Sequence, residues 1–164
     1  YRLLGYETRM LQREDFNNDA VDAGEIGAGH TVTAIYEVTP VGSAAALMDP
    51  PRYQLQKVTE GPASGELGFI KVRYKLPGEK VSKLLSQPIP LTSGDISAGR
   101  IQEGRFAVAV AGFAQLLRDG KYIGDWSYDD ALAMALANRG DDVYGYRSEF
   151  AQLIRKASVA SAMR

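Results

Sequence analysis

Residues 66–76 read ELGFIKVRYKL, with Ile70, Val72, Tyr74 and Leu76 on one side and Lys71, Arg73 and Lys75 on the other. Period-two alternation marks a half-buried strand, because successive side chains leave opposite faces of the pleat. Residues 106–117, FAVAVAGFAQLL, obey a different rule: Phe106, Val110, Phe113 and Leu117 recur at helical spacing along one face. The change of period falls near Thr92, and it decides the fold class.

On the N-terminal side of that switch, Thr31 to Val38 alternates again, with Val32, Ala34, Tyr36 and Val38 against Thr31, Thr33 and Glu37, and with Ile35 as the exception. Arg2 to Met10 is a third expected strand, with Leu4, Tyr6 and Met10 aligned. Val81 to Ile89 is a fourth, and Pro88 and Pro90 place it at an edge, since proline donates nothing to a ladder. The connection from Thr39 to Gly65 is too long for a bare loop in a compact domain, so Arg52 to Val58 is expected to add a strand.

Beyond Thr92 three helices are expected. The first ends at Asp119-Gly120, with Gly120 suited to a left-handed C-terminal position. Ala107, Ala109, Ala111, Gly112 and Ala114 surround it with small residues, which suggests a central, largely covered helix. Ser127-Tyr128-Asp129-Asp130 has the form of a capping box and opens the second helix, which runs to Asn138 and stops at Gly140. Asp141-Asp142 sets negative charge at the start of the third, whose apolar stripe is Tyr146, Phe150, Leu153/Ile154 and Ala157. Ser158 to Arg164 is expected to fray. Strands followed by helices indicate an α+β fold. The expectation is an antiparallel, β-sandwich-like sheet over residues 1–92, packed with a three-helix segment over residues 93–164 as one compact unit.

Composition narrows the function classes. The chain has 164 residues, 45% apolar and 24% charged, which suits a folded globular protein. With 19 basic against 20 acidic residues and no basic stripe, phosphate neutralisation is disfavoured and no nucleic-acid partner is expected. The absence of cysteine removes disulfides, thiolate metal sites and cysteine nucleophiles together. The longest apolar run, Phe106 to Leu117, falls short of the ~20 residues that span a bilayer. The chain opens at Tyr1 inside a strand-like pattern, which reads as a piece of a longer protein whose targeting segment would lie upstream.

Polar groups are densest between Glu14 and His30. Asp15, Asn17 and Asp19 follow the first, third and fifth positions of a calcium loop, with Asp22 or Glu25 as the closing carboxylate. Ala20 and Ile26 depart from that pattern, and the competing reading is a loop whose Asx side chains cap its own turns. Gly24, Gly27 and Gly29 run in the wrong order, and before a strand, for a dinucleotide-binding turn. His30 is the one histidine, and no G-x-S-x-G elbow accompanies it, so a hydrolase triad has little support. Tyr122, Trp126 and Tyr128 could form a sugar-stacking platform, or Trp126 could anchor the inter-helix turn on the core. No catalytic constellation emerges, and the chain is expected to be non-enzymatic.

Five blocks carry a resemblance: YRLLGYETRML, EDFNNDAVDAGEIGAGHTVTAIYE, LGFIKVRYKLPG, RFAVAVAGFAQLLRDGKYIGDWSYDDALAMA and GDDVYGYRSEFAQLI. In this order they resemble the C-terminal region of bacterial cell-envelope proteins that contain a von Willebrand factor type A domain. The resemblance covers nearly the whole chain and weakens between Ala44 and Gly65 and past Ser158. It implies a periplasmic or lipid-anchored parent protein, a type A domain in the same parent chain as partner, and an accessory role in protein contacts. The metal-dependent adhesion motif D-x-S-x-S is not carried over, because Asp95-Ile96-Ser97-Ala98-Gly99 fails at its third element.

Overall fold

The computed structural model describes residues 1–5, 10–21, 24–40, 43–44, 65–91, 94 and 96–163. In chain order its elements are β1 (Arg2–Leu4), a short 3-10 turn (Arg13–Asn17), β2 (Ile35–Glu37), β3 (Glu66–Tyr74), β4 (Lys83–Pro90), α1 (Ala98–Leu117), α2 (Tyr128–Ala137) and α3 (Tyr146–Ala162). The fold is α+β, with the described strands preceding all three helices. Two compact units divide the chain: Tyr1–Val32 with Tyr36–Asp95, and Thr33–Ile35 with Ile96–Arg164.

The described strands form two separate two-stranded sheets, β1 with β2 and β3 with β4. Sandwich-like layering is not seen among them. The expected strand at residues 52–58 lies outside the described residues, as does the middle of the expected Arg2 to Met10 strand. The alternation between Thr31 and Val38 yields only the three residues of β2, because a ladder extends no farther than its partner and β1 is itself three residues long. Tyr1 stands edge-on to Tyr36 at 6.2 Å, and Arg2 Nε meets Glu37 Oε2 at 2.6 Å.

β3 and β4 make an antiparallel hairpin in which Ile70 faces Gln87, Val72 faces Leu85 and Tyr74 faces Lys83, with an irregularity between Glu66 and Gly68. Its connection contains Leu76-Pro77-Gly78-Glu79, closed by Glu79 N–H donating to the Leu76 carbonyl at 3.0 Å. Gly78 has φ +82°. Proline followed by a positive-φ glycine is the signature of a type II turn, in which a side chain at the glycine position would be strained. Pro88 and Pro90 lie in β4, consistent with its position at the edge of a pair. Large apolar side chains stay about half exposed on both faces of this hairpin, Phe69 at 54% and Val72 at 46% among them.

The helical unit holds the buried core: Ala109 and Phe113 of α1, Ala131 and Ala135 of α2, and Ile154 of α3. α2 packs against both α1 and α3. The expectation that α1 is the central helix is therefore corrected. Ala131 and Ala135 of α2 are fully buried, while Val108 and Val110 of α1 are exposed. The inward stripe of α1 is Phe106, Ala109, Phe113 and Leu116, and Val110 and Leu117 turn outward. At about 100° per residue both sets of four stay within a face about 80° wide, so periodicity alone does not separate them. The Phe113 ring is edge-on to Tyr128 at 6.2 Å and to Phe150 at 5.4 Å, and Phe106 meets Phe150 at 5.7 Å. Such aromatic pairs contribute about 0.5–1.5 kcal/mol each beyond their area burial.

The helix ends follow local chemistry. α1 closes with Gly120 N–H donating to the Gln115 carbonyl at 2.9 Å and Asp119 N–H to the Leu116 carbonyl at 3.2 Å. The left-handed residue in this closure is Asp119, at φ +50°, and not Gly120. Gly120 is needed for a different reason: a Cβ there would meet the Gln115 carbonyl oxygen at 3.0 Å. At α2 the capping box forms as expected, with Asp130 N–H donating to Ser127 Oγ and Ser127 N–H to Asp130 Oδ2 at 2.9 Å. α3 continues to Ala162, well past the point where fraying was expected.

Candidate functional site

In the acidic loop the structure brings together two of the expected cation ligands, and it does so around a guanidinium. Arg73, on β3, donates to Asn17 Oδ1 at 2.9 Å and to Asp19 Oδ1 at 3.3 Å. Its Nε also donates to Ser82 Oγ at 2.9 Å, while Ser82 N–H reaches Asp19 Oδ2 at 3.2 Å. Lys75 donates to the Asp19 carbonyl, and the Arg73 guanidinium lies 6.0 Å from the Phe16 ring centroid. The Asp19 carboxyl is held below its usual range, first by the Ser82 hydroxyl, then by the Ser82 amide, with the charges of Arg73 and Lys75 adding to the effect. Asn18 Oδ1 accepts from Ala20 N–H at 3.0 Å, an Asx turn within the loop.

Asp15 sits in the 3-10 turn, where its carbonyl accepts from Asn18 N–H, and Glu25 lies exposed farther along. Asp22 lies outside the described residues. Among the described residues, no three His, Cys, Asp or Glu side chains gather closely enough to hold a metal ion. Chemically this is a clamp. It ties the loop carrying Asn17 and Asp19 to β3 and to Ser82, the residue just before β4, and a cation entering it must displace Arg73. His30 is exposed, with Nδ1 3.2 Å from the Ala28 carbonyl oxygen.

Of the three aromatics considered for ligand stacking, Trp126 and Tyr128 pack against the helical core, and Tyr122 is exposed with Lys121 Nζ 5.2 Å from its ring centroid. The Trp126 indole lies flush on α1 at Gly112, where an added Cβ would fall 2.5 Å from Nε1. Its Nε1–H is buried without a hydrogen-bond partner among the described residues.

Sequence reasoning missed two further constellations. Arg147 of α3 makes a bidentate pair with Glu103 of α1, at 3.0 and 2.6 Å, and lies 4.5 Å from the centroid of Phe106. The hydrogen bonds from Arg147 hold the Glu103 carboxyl below its ordinary range. Asp142, at φ +44°, accepts from Arg147 N–H and Ser148 N–H at 3.0 and 2.8 Å and from the Ser148 hydroxyl at 2.7 Å, and that hydroxyl is the main cause of its lowered pKa. Glu103 and Arg147 are 44 residues apart, and no periodic signal joins them. The second constellation is the outer face of α3. Tyr146 and Leu153 were expected in the core stripe, but they are exposed beside Glu149 and Lys156 along an open groove of about 320 Å³. The inward stripe consists of Phe150, Ile154 and Ala157.

Among the described residues, no helix is long and apolar enough to cross a membrane. No solved structure matches this chain. An Escherichia coli (strain K12) protein, "Uncharacterized protein YfbK", is 39% identical over 158 residues, which are 96% of this chain and 27% of that relative. The chain thus spans about a quarter of the length of the curated relative it matches. A family model described as "Uncharacterized protein YfbK, C-terminal" matches residues 1–159, and the chain belongs to that family.

Proposed function

We propose that this chain is a non-enzymatic accessory module of a longer cell-envelope protein, contributing a protein-contact surface beside a von Willebrand factor type A domain in the same parent. The observation that carries this reading is the β3–β4 hairpin. Its apolar side chains stand about half exposed on both faces, Ile70, Val72 and Leu85 on one and Phe69 and Leu84 on the other. An isolated two-stranded hairpin is marginal in water, and exposed apolar rows of this kind mark contact surfaces. The length of the curated relative beyond the matched stretch supports a parent with ample chain to cover such a surface. The clamp through Arg73 supports it too, because it presets the hairpin against its own loop before any partner arrives.

Hydrogen exchange tests the reading directly. Amides of residues 66–74, 83–87 and 89 are expected to exchange at least tenfold more slowly in the full-length parent than in this chain alone. Equal exchange in both settings, with no association when the chain is mixed with the remainder of its parent, refutes it. Fractionation of cells expressing the parent tests the envelope location.

A further inference from the structure

We propose that the outer face of α3 is a self-association surface, through which two copies of this chain pair with their α3 helices antiparallel. The inner face of α3 is committed to the core through Phe150, Ile154 and Ala157. Next to it, Tyr146, Glu149, Leu153, Lys156, Ala160 and Met163 recur at steps of three and four, the spacing of a helix–helix seam. Tyr146, Leu153 and Met163 are 72%, 50% and 81% exposed, and the open groove of about 320 Å³ follows this line from Tyr146 to Lys156.

The charges on the seam select the occupant. Glu149 and Lys156 are opposite in sign and two helical turns apart, about 10.5 Å along the axis. In a parallel pairing of two copies, each would face its own kind. A two-fold axis passing between Gln152 and Leu153 instead sets Glu149 against Lys156 of the second copy, and Lys156 against its Glu149. The same register brings the Leu153 side chains of the two copies together beside the axis, and Leu153 is half exposed. Among the described residues neither Glu149 nor Lys156 takes part in an ion pair, so both are available. The surface is therefore complementary to itself, as an isologous dimer requires. A single helix face about 25 Å long makes a small interface, so the dimer is of the weak, reversible class. This surface belongs to the helical unit and is separate from the hairpin on which the proposed function rests.

Sedimentation equilibrium of the full 164-residue chain tests it, with circular dichroism confirming helicity in every variant. Between about 10 μM and 1 mM the wild-type mass is expected to climb from monomer toward dimer, the range suited to a small interface. Glu149→Lys and Lys156→Glu should each weaken association about tenfold, because each turns two attractive pairs into two repulsive ones. The double exchange, Glu149→Lys with Lys156→Glu, should return it to within about threefold of wild type. A wild-type chain that stays monomeric overturns the proposal. So does a dimer indifferent to the single reversals, or a double variant no tighter than the singles. A dimer lost only on Val72→Lys in the hairpin also overturns it, and that result leaves the proposed function standing.

Discussion

Replacing Gly112 with alanine sets two opposing effects against each other inside α1. In an open helical position glycine to alanine stabilises by about 1 kcal/mol, because the unfolded chain loses freedom and the helix gains a better former. At Gly112 the new Cβ would lie 2.5 Å from Trp126 Nε1, 2.7 Å from Cε2 and 3.1 Å from Cζ2. The indole is rigid and packed against the core, so the ring must shift as a body. Overpacking of this kind costs about 1–3 kcal/mol. Losing roughly a third of the ring's burial, at ~25 cal/mol per Å² over ~200 Å², adds about 1–2 kcal/mol. Release of the buried, unpartnered Nε1–H recovers part of that loss. The net expectation is destabilisation by about 1–3 kcal/mol. Gly104→Ala, in the same helix with nothing within 4 Å of its added Cβ, should stabilise by about 1 kcal/mol. Urea unfolding followed by fluorescence reads both, since Trp126 is the one tryptophan and reports its own helical unit. If Gly112→Ala raises the midpoint as Gly104→Ala does, the close approach of indole and helix is wrong.

Ser127→Ala removes one arm of the capping box and should cost about 1 kcal/mol, or roughly 4–8 °C in the melting temperature of a unit this size by far-ultraviolet circular dichroism. Acid should weaken the helical unit through Asp130, Asp142 and Glu103, all held below their ordinary values of 3.8, 3.8 and 4.5. A depressed carboxyl contributes stability that is complete above its unfolded value and is lost as pH falls through its folded one. The denaturant midpoint should therefore be flat down to about pH 4.5 and fall below it, with a shallower fall in Asp142→Asn. Because Arg73 occupies the space between Asn17 and Asp19, calorimetric titration with calcium at about millimolar concentration should give no binding heat. Heat that disappears in Asp19→Asn would instead establish an ion site in the acidic loop. Arg73→Ala should speed exchange at the Ser82 amide by at least tenfold while leaving the helical unit unchanged.

What was legible in the sequence was what is local. The capping box from Ser127 to Asp130 spans four residues, so it declares itself within one window. The change from period two to period 3.6 fixed the α+β class for the same reason. The errors came where two arrangements share one local pattern. Phe106, Val110 and Leu117 fit one face of a helix, and so do Phe106, Ala109 and Leu116; the packing of Ala109 and Leu116 into the core separates the two. Asp119 and Gly120 both suit a helix end, and proximity to the Gln115 carbonyl decides which needs to be small. Tyr146 carries the right spacing for the core, but it opens α3 and stands outside the packed stripe. The Arg73 clamp was illegible for a plainer reason. Its partners Asn17 and Asp19 lie 56 and 54 residues away, and neither periodicity nor propensity carries information over that distance.

The two prolines of β4 limit how this molecule could polymerise. A proline nitrogen has no hydrogen to offer, so the outer margin of β4 lacks donors at Pro88 and Pro90 and resists the addition of another strand. An amyloid-like ribbon needs two adhesive margins per building block, one to receive a neighbour and one to present. This hairpin offers a fully equipped margin only along β3, so growth from it ends after a single joining event.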